Sequence, residues 1–149
     1  MRGHVVMLCA YVVQSWIVSP PDAEALRVCH DIGAAALAEG HPVELVVALA
    51  YTESRLDASA RSSSGALGPL QILPRYHCPD RRARGCDLIA TGVRTISRFR
   101  ARFGPSWADV LCHWNSGNRC VRRSRHFARV VLRRAEELSL HGGSEVCGG

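Results

Sequence analysis

Glu53 is the residue in this chain around which chemistry is most readily assembled. It follows a run, Val43 and then Leu45 through Ala50, that is apolar on every side. Such a run marks a buried helix rather than a surface one. At helical pitch Glu53 shares a side with Leu49 and Val46, so the chain carries an acid out of its own core. Beyond it, Ser62, Ser63, Ser64, Gly65 and Gly68 form a Gly-punctuated loop, followed by Gln71, Ile72 and Pro74. A carboxyl group in apolar surroundings resists ionisation, so its pKa rises and it holds a proton near neutral pH. General-acid cleavage of a glycosidic bond requires such a proton. The competing reading is an ion pair between Glu53 and an arginine at the helix end. Arg55, two residues on, points to another face, but other arginines are available.

A second set of residues narrows the choice. Glu53-Ser54, then Ser62, Gly65-Ala66, Gly68, Leu70-Gln71 and Pro74, resemble the first two motifs of the lytic transglycosylases related to goose-type lysozymes. Trp114-Asn115-Ser116-Gly117 resembles the third, in the expected order. The resemblance implies an all-α, lysozyme-like domain with a central buried helix carrying the catalytic Glu. It also implies cleavage of peptidoglycan between N-acetylmuramic acid and N-acetylglucosamine, leaving a 1,6-anhydro end. Glu53 would be the sole acid and base, with Ser62, Leu70, Gln71, Trp114 and Asn115 binding the glycan strand. No cofactor or metal is expected. Two departures stand out: Leu70 replaces a methionine expected to line the sugar groove, and Trp114 replaces a tyrosine. An indole can donate to the catalytic acid but cannot accept from it.

A hydrolase of the usual kind needs a second carboxylate across the bond. Asp57, Asp80, Asp87 and Asp109 are the candidates, and none sits in a loop suited to a nucleophile.

The elements that must hold these residues are legible as helices. Asp22 caps a helix over about 23–39, which Gly40 stops, and Pro42 opens the Glu53 helix. Ile89, Val93, Ile96, Phe99 and Phe103 space a helix over 87–103, with Arg94, Arg98 and Arg102 on its outer side. Ser106 caps a short helix that delivers Trp114 and Asn115, and a last helix spans about 122–140. Trp107 is expected in the core and His113 in a structural role. At 149 residues the chain is long enough for one domain with a core of its own.

All 19 basic side chains are arginine, and the net charge is +6. That suits an anionic partner: cell wall, nucleic acid or a membrane surface. Arg122, Arg123, Arg125, Arg129, Arg133 and Arg134 stripe the last helix, but no sequence-reading signature accompanies them, so nucleic acid is not expected. Arg81, Arg82 and Arg84 lie in a charged loop and could meet acidic stem peptides of the wall. A monomer is expected, with peripheral membrane or secretion-apparatus contact as the further partner considered.

Residues 1–19 have a basic start and an apolar stretch, which reads as a secretory signal or an uncleaved N-terminal anchor, leaving 20–149 as the catalytic domain. A buried N-terminal helix is the third reading. Removal of a leader takes Cys9 and leaves six cysteines, an even set suited to disulfides in a periplasmic or secreted protein. Short loops favour Cys78–Cys86 and Cys112–Cys120, leaving Cys29 with Cys147 by elimination. Zinc is the rival, since His30, His77 and His113 each adjoin a cysteine, but no compact Cys-x-x-Cys pair is present.

Overall fold

A computed structural model describes residues 1–17 and 22–141. The expected all-α, lysozyme-like, disulfide-braced architecture is observed. Seven helices are formed among the described residues: α1 (Arg2–Ser15), α2 (Ala23–Ala38), α3 (Val43–Ser54), α4 (Pro74–His77), α5 (Leu88–Phe103), α6 (Trp107–Ser116) and α7 (Arg122–His141). A 3-10 turn, Pro79–Arg81, follows α4.

Helix α3 occupies the centre because its sequence leaves no face for water. Val43 and Leu45 through Ala50 are all buried, and α2 and α7 pack against it. Each fully buried Val or Leu contributes roughly 1.5–3 kcal/mol of transfer free energy, so this helix alone anchors much of the core. It ends where Arg55 and Leu56 both turn into positive φ, at 55° and 63°. Left-handed backbone at two successive non-glycine residues is unfavourable in isolation, so tertiary contacts must hold it. Leu56 supplies one such contact, buried at 1 % exposure. Ser54 supplies another: its hydroxyl donates to Pro69 O at 2.8 Å, tying the helix end to the loop that follows.

The other helices begin and end where capping chemistry places them. Asp22 accepts from Glu24 N at the start of α2, and Asp87 accepts from Ala90 N at the start of α5. Ser106 accepts from Asp109 N at the start of α6. Pro42 precedes α3 as its N-cap rather than occupying its first turn. Helix α6 runs on through Trp114 and Asn115 to Ser116, so both site residues are helical.

The N-terminal stretch folds as α1 and joins the core. Val5, Leu8, Cys9, Val12 and Val13 are buried, and Cys9 is bonded to Cys29 of α2. Gly33 permits that close approach, since a Cβ there would sit 2.5 Å from a Val5 methyl. Tyr11 and Trp16 both donate to Glu137 of α7 at 2.9 Å, which fixes the other side of α1. No helix among the described residues is long and apolar enough to cross a membrane. The cleavage position considered at Ser19–Pro20 lies outside the described residues.

The pairings Cys78–Cys86 and Cys112–Cys120 are as expected. Cys29 departs from expectation: its partner is Cys9, and Cys147 lies outside the described residues. Helix α1 packs on α2 with Cys9 buried, which sets Cys9 opposite Cys29. Among the described residues no cluster of His, Cys, Asp and Glu has the makings of a metal site.

Candidate active site

The C-terminal turn of α3, the loop at 60–73 and the end of α6 meet around one open cleft of about 260 Å³. Its walls include Glu53, Ser62, Gln71, Trp114 and Asn115, five of the six residues singled out in the sequence. The chain brings them together from three segments separated by up to about two fifths of its length.

Among the described residues Glu53 is the only acid on those walls. Burial raises its pKa from 4.5 to about 7, and the Trp114 side chain, as a hydrogen-bond donor to the carboxyl, pulls the other way. The donor-only indole thus stabilises the charged form in part but leaves desolvation dominant. A carboxyl with a pKa of about 7 is both a competent acid and a competent base near neutrality. Asp57, the nearest alternative acid, is exposed, and its carboxylate accepts from both Ser59 N and Ser59 Oγ, at 2.8 and 2.7 Å. Asp87 is spent as the α5 cap, and Asp80 and Asp109 lie away from the cleft walls.

Each polar wall residue has one end tied to the fold. Gln71 adopts positive φ, 52°, and its amide nitrogen donates to Ala60 O and Gly68 O. Its carbonyl oxygen accepts from none of the described residues and remains for a ligand. Asn115 Oδ1 accepts from Ser124 Oγ of α7 at 2.8 Å, which leaves its NH₂ for the cleft. Ser62 Oγ accepts from Ala66 N at 3.0 Å and shares a bond with Ser64 Oγ at 3.1 Å. Isolated bridges of Leu67 to Arg61 and to Ile72 fold the loop back on itself.

Leu70 lies elsewhere. It is 1 % exposed, and its side chain reaches Gly92 of α5, where a Cβ would come within 2.6 Å. The position expected to line the sugar groove instead anchors the loop to α5. Ser64, Ala66 and Leu73 take up wall positions that the sequence did not single out. Ser64 was visible only as one of three consecutive serines, and nothing in that run says which one faces the cleft.

The wall at Trp114 is rigid. Phe99 packs edge-on to its ring at 5.4 Å between centroids, and the Cys112–Cys120 bond braces the turn after it. His113 stacks on Phe103 at 3.8 Å and bonds Gly117 O through Nδ1, so its role is structural as expected. Trp107 is partly buried beneath Arg100, whose guanidinium lies 4.2 Å from its ring centroid. A larger groove of about 540 Å³ runs between α1 and α2, but it contains no acid and is walled mainly by aliphatic side chains.

An α-helical domain that lifts one high-pKa acid out of its core into a polar, aromatic-edged cleft has the form of a lysozyme-like glycan-cleaving protein. Residues 31–130, two thirds of the chain, match the family described as Transglycosylase SLT domain, and the chain belongs to that family. Membership brings with it transglycosylase-type degradation of peptidoglycan. No curated protein and no solved structure matches the chain.

Proposed function

We propose that this protein is a peptidoglycan lytic transglycosylase with Glu53 as its single general acid and base. The carrying observation is one acid, with its pKa raised to about 7, in a cleft whose walls hold no second carboxylate among the described residues. Glu53 gives its proton to the bridging oxygen as the bond from N-acetylmuramic acid to N-acetylglucosamine breaks. The resulting carboxylate takes a proton from the 6-hydroxyl of the muramic ring, and that oxygen closes onto C1. The acid is regenerated, no water is consumed, and the product carries a 1,6-anhydro end. Substrate assistance by the 2-acetamido group replaces the missing second carboxylate.

The amide of Asn115, the carbonyl of Gln71 and the hydroxyl of Ser62 hold the sugar and its acetamido groups, while Trp114 stacks against a ring. No cofactor takes part, and the acting species is a monomer. Three disulfides support a periplasmic or secreted location, because such bonds persist in oxidising compartments. Export with the 1–19 segment kept in the mature chain, where Cys9 holds its bond to Cys29, belongs to the same reading.

The test is mass spectrometry of soluble muropeptides released from purified peptidoglycan. A product lighter by one water than the reducing-end fragment is expected. Reducing ends alone would make the protein a lysozyme-type hydrolase. No soluble fragments, with retained co-sedimentation, would make it a wall-binding protein.

A further inference from the structure

The Glu53 cleft does not end at Trp114. Gln71, Leu73 and Trp114 also wall a smaller pocket of about 60 Å³, whose floor includes Phe99 and His77. His77 in turn walls a third space of about 310 Å³, closed on its other side by Arg94 and Arg98 of α5. Neighbouring spaces share lining residues, so the three lie in a row from the Glu53 cleft to a pair of guanidinium groups.

Those two arginines are four residues apart on one helix and therefore face the same way. Among the described residues the one ion pair is His4–Glu44, so neither arginine has a carboxylate partner. Arg94 is steadied from below: its Nη2 donates to Thr91 Oγ1 at 3.4 Å, and Thr91 is buried. The opposite wall, Tyr76 through Pro79, is tied to the approach to α5 by Cys78–Cys86. Burial, with the Arg98 charge second, lowers the His77 pKa. Two like charges set side by side without a counter-ion repel, and an anion placed between them relieves that repulsion.

We infer that Arg94 and Arg98 form a carboxylate-binding subsite at the far end of the groove, taking an acidic residue of the peptide attached to the glycan. The inference rests on peptidoglycan being the substrate. The arginines of the preceding loop, Arg81, Arg82 and Arg84, were the sequence's own candidates for this task, yet none of them walls this path. Arginine suits the site because its planar fork matches a carboxylate in two bonds.

Binding, rather than turnover, is the cleaner readout. In a Glu53→Gln background, sonicated strands with peptides intact should bind about tenfold tighter than strands stripped by an amidase. Arg94→Gln/Arg98→Gln should abolish that preference, as should conversion of the peptide carboxylates to methyl amides. Arg27→Gln, at an exposed position on α2, should keep it. Equal affinity for both strand types, or a preference that survives the double substitution, would overturn the subsite. A loss of equal size in Arg27→Gln would overturn it too, by assigning the effect to net charge. Failure of the transglycosylase reading appears separately, as absence of anhydro products from the unmutated chain, and leaves this comparison interpretable.

Discussion

Ser124 of α7 donates its hydroxyl to Asn115 Oδ1 of α6 at 2.8 Å, and Ser124 is 1 % exposed. The last helix therefore sets which end of the Asn115 amide faces the cleft. The site motif does not orient itself; a buried hydroxyl nine residues downstream does it.

Removing that hydroxyl should cost more in function than in fold. Ser124→Ala leaves the Asn115 oxygen without its partner, at a cost of roughly 1–3 kcal/mol in stability. The amide is then free to flip, and muropeptide release should drop about tenfold through both kcat and KM. Thermal denaturation together with product quantitation checks both. A stable variant at full rate would remove Ser124 from the positioning of Asn115.

The raised pKa of Glu53 fixes the sign of two pH effects. Activity that requires the protonated acid should fall as pH rises through about 7. Stability should move the same way: above 4.5 the unfolded chain gives up this proton while the folded chain keeps it, so folding loses free energy until about pH 7 and no further. Glu53→Gln removes the buried charge and should abolish product release. It should also stabilise the fold above pH 7 by about 1–3 kcal/mol. Retained turnover in this variant would refute the role given to Glu53.

The Cys112–Cys120 bond closes a short loop that contains Trp114 and Asn115. In the chain-entropy model a loop of about nine residues is worth roughly 2–3 kcal/mol. Cys112→Ala/Cys120→Ala should fold less stably by that order. Because the released segment contains the Trp114 wall of the cleft, activity should be lost at a lower temperature than the helical signal. Coincident loss of both would show that the bond stabilises the domain without bracing the site.

Peptide mapping of the unreduced protein from the cell envelope should find Cys9 joined to Cys29. Helix α1 packs on α2, with Val5 against Gly33, so the crosslink and the packing predict the same outcome. A mature chain beginning after residue 19 could not contain that bond, and Cys29 would then need another partner.

Gly92→Ala probes the wall built by Leu70. An added methyl would meet the Leu70 side chain at 2.6 Å, so overpacking should destabilise by about 1–3 kcal/mol. The loop carrying Gln71 should shift with it, which a rise in KM for peptidoglycan would report. A variant with wild-type stability and KM would show that the loop stands independently of α5.

What the sequence by itself determined is whatever depends on neighbours along the chain. A run apolar on every side has to be buried wherever it ends up, so α3 and the acid at its end were readable from residue types alone. Capping residues Asp22, Asp87 and Ser106 set helix starts because their side chains bond amides two or three residues away. The short-loop disulfides were local in the same sense. Tertiary structure alone decided the relations between distant segments. Leu70 and Gln71 are adjacent, yet positive φ at Gln71 sends one side chain into the core and the other into the cleft. The fate of the N-terminal stretch is of this kind as well, since an apolar helix of that length fits a leader and a core layer equally until a partner surface exists. Gly33 and Cys29 on α2 provide that surface, and only folding brings them opposite Val5 and Cys9.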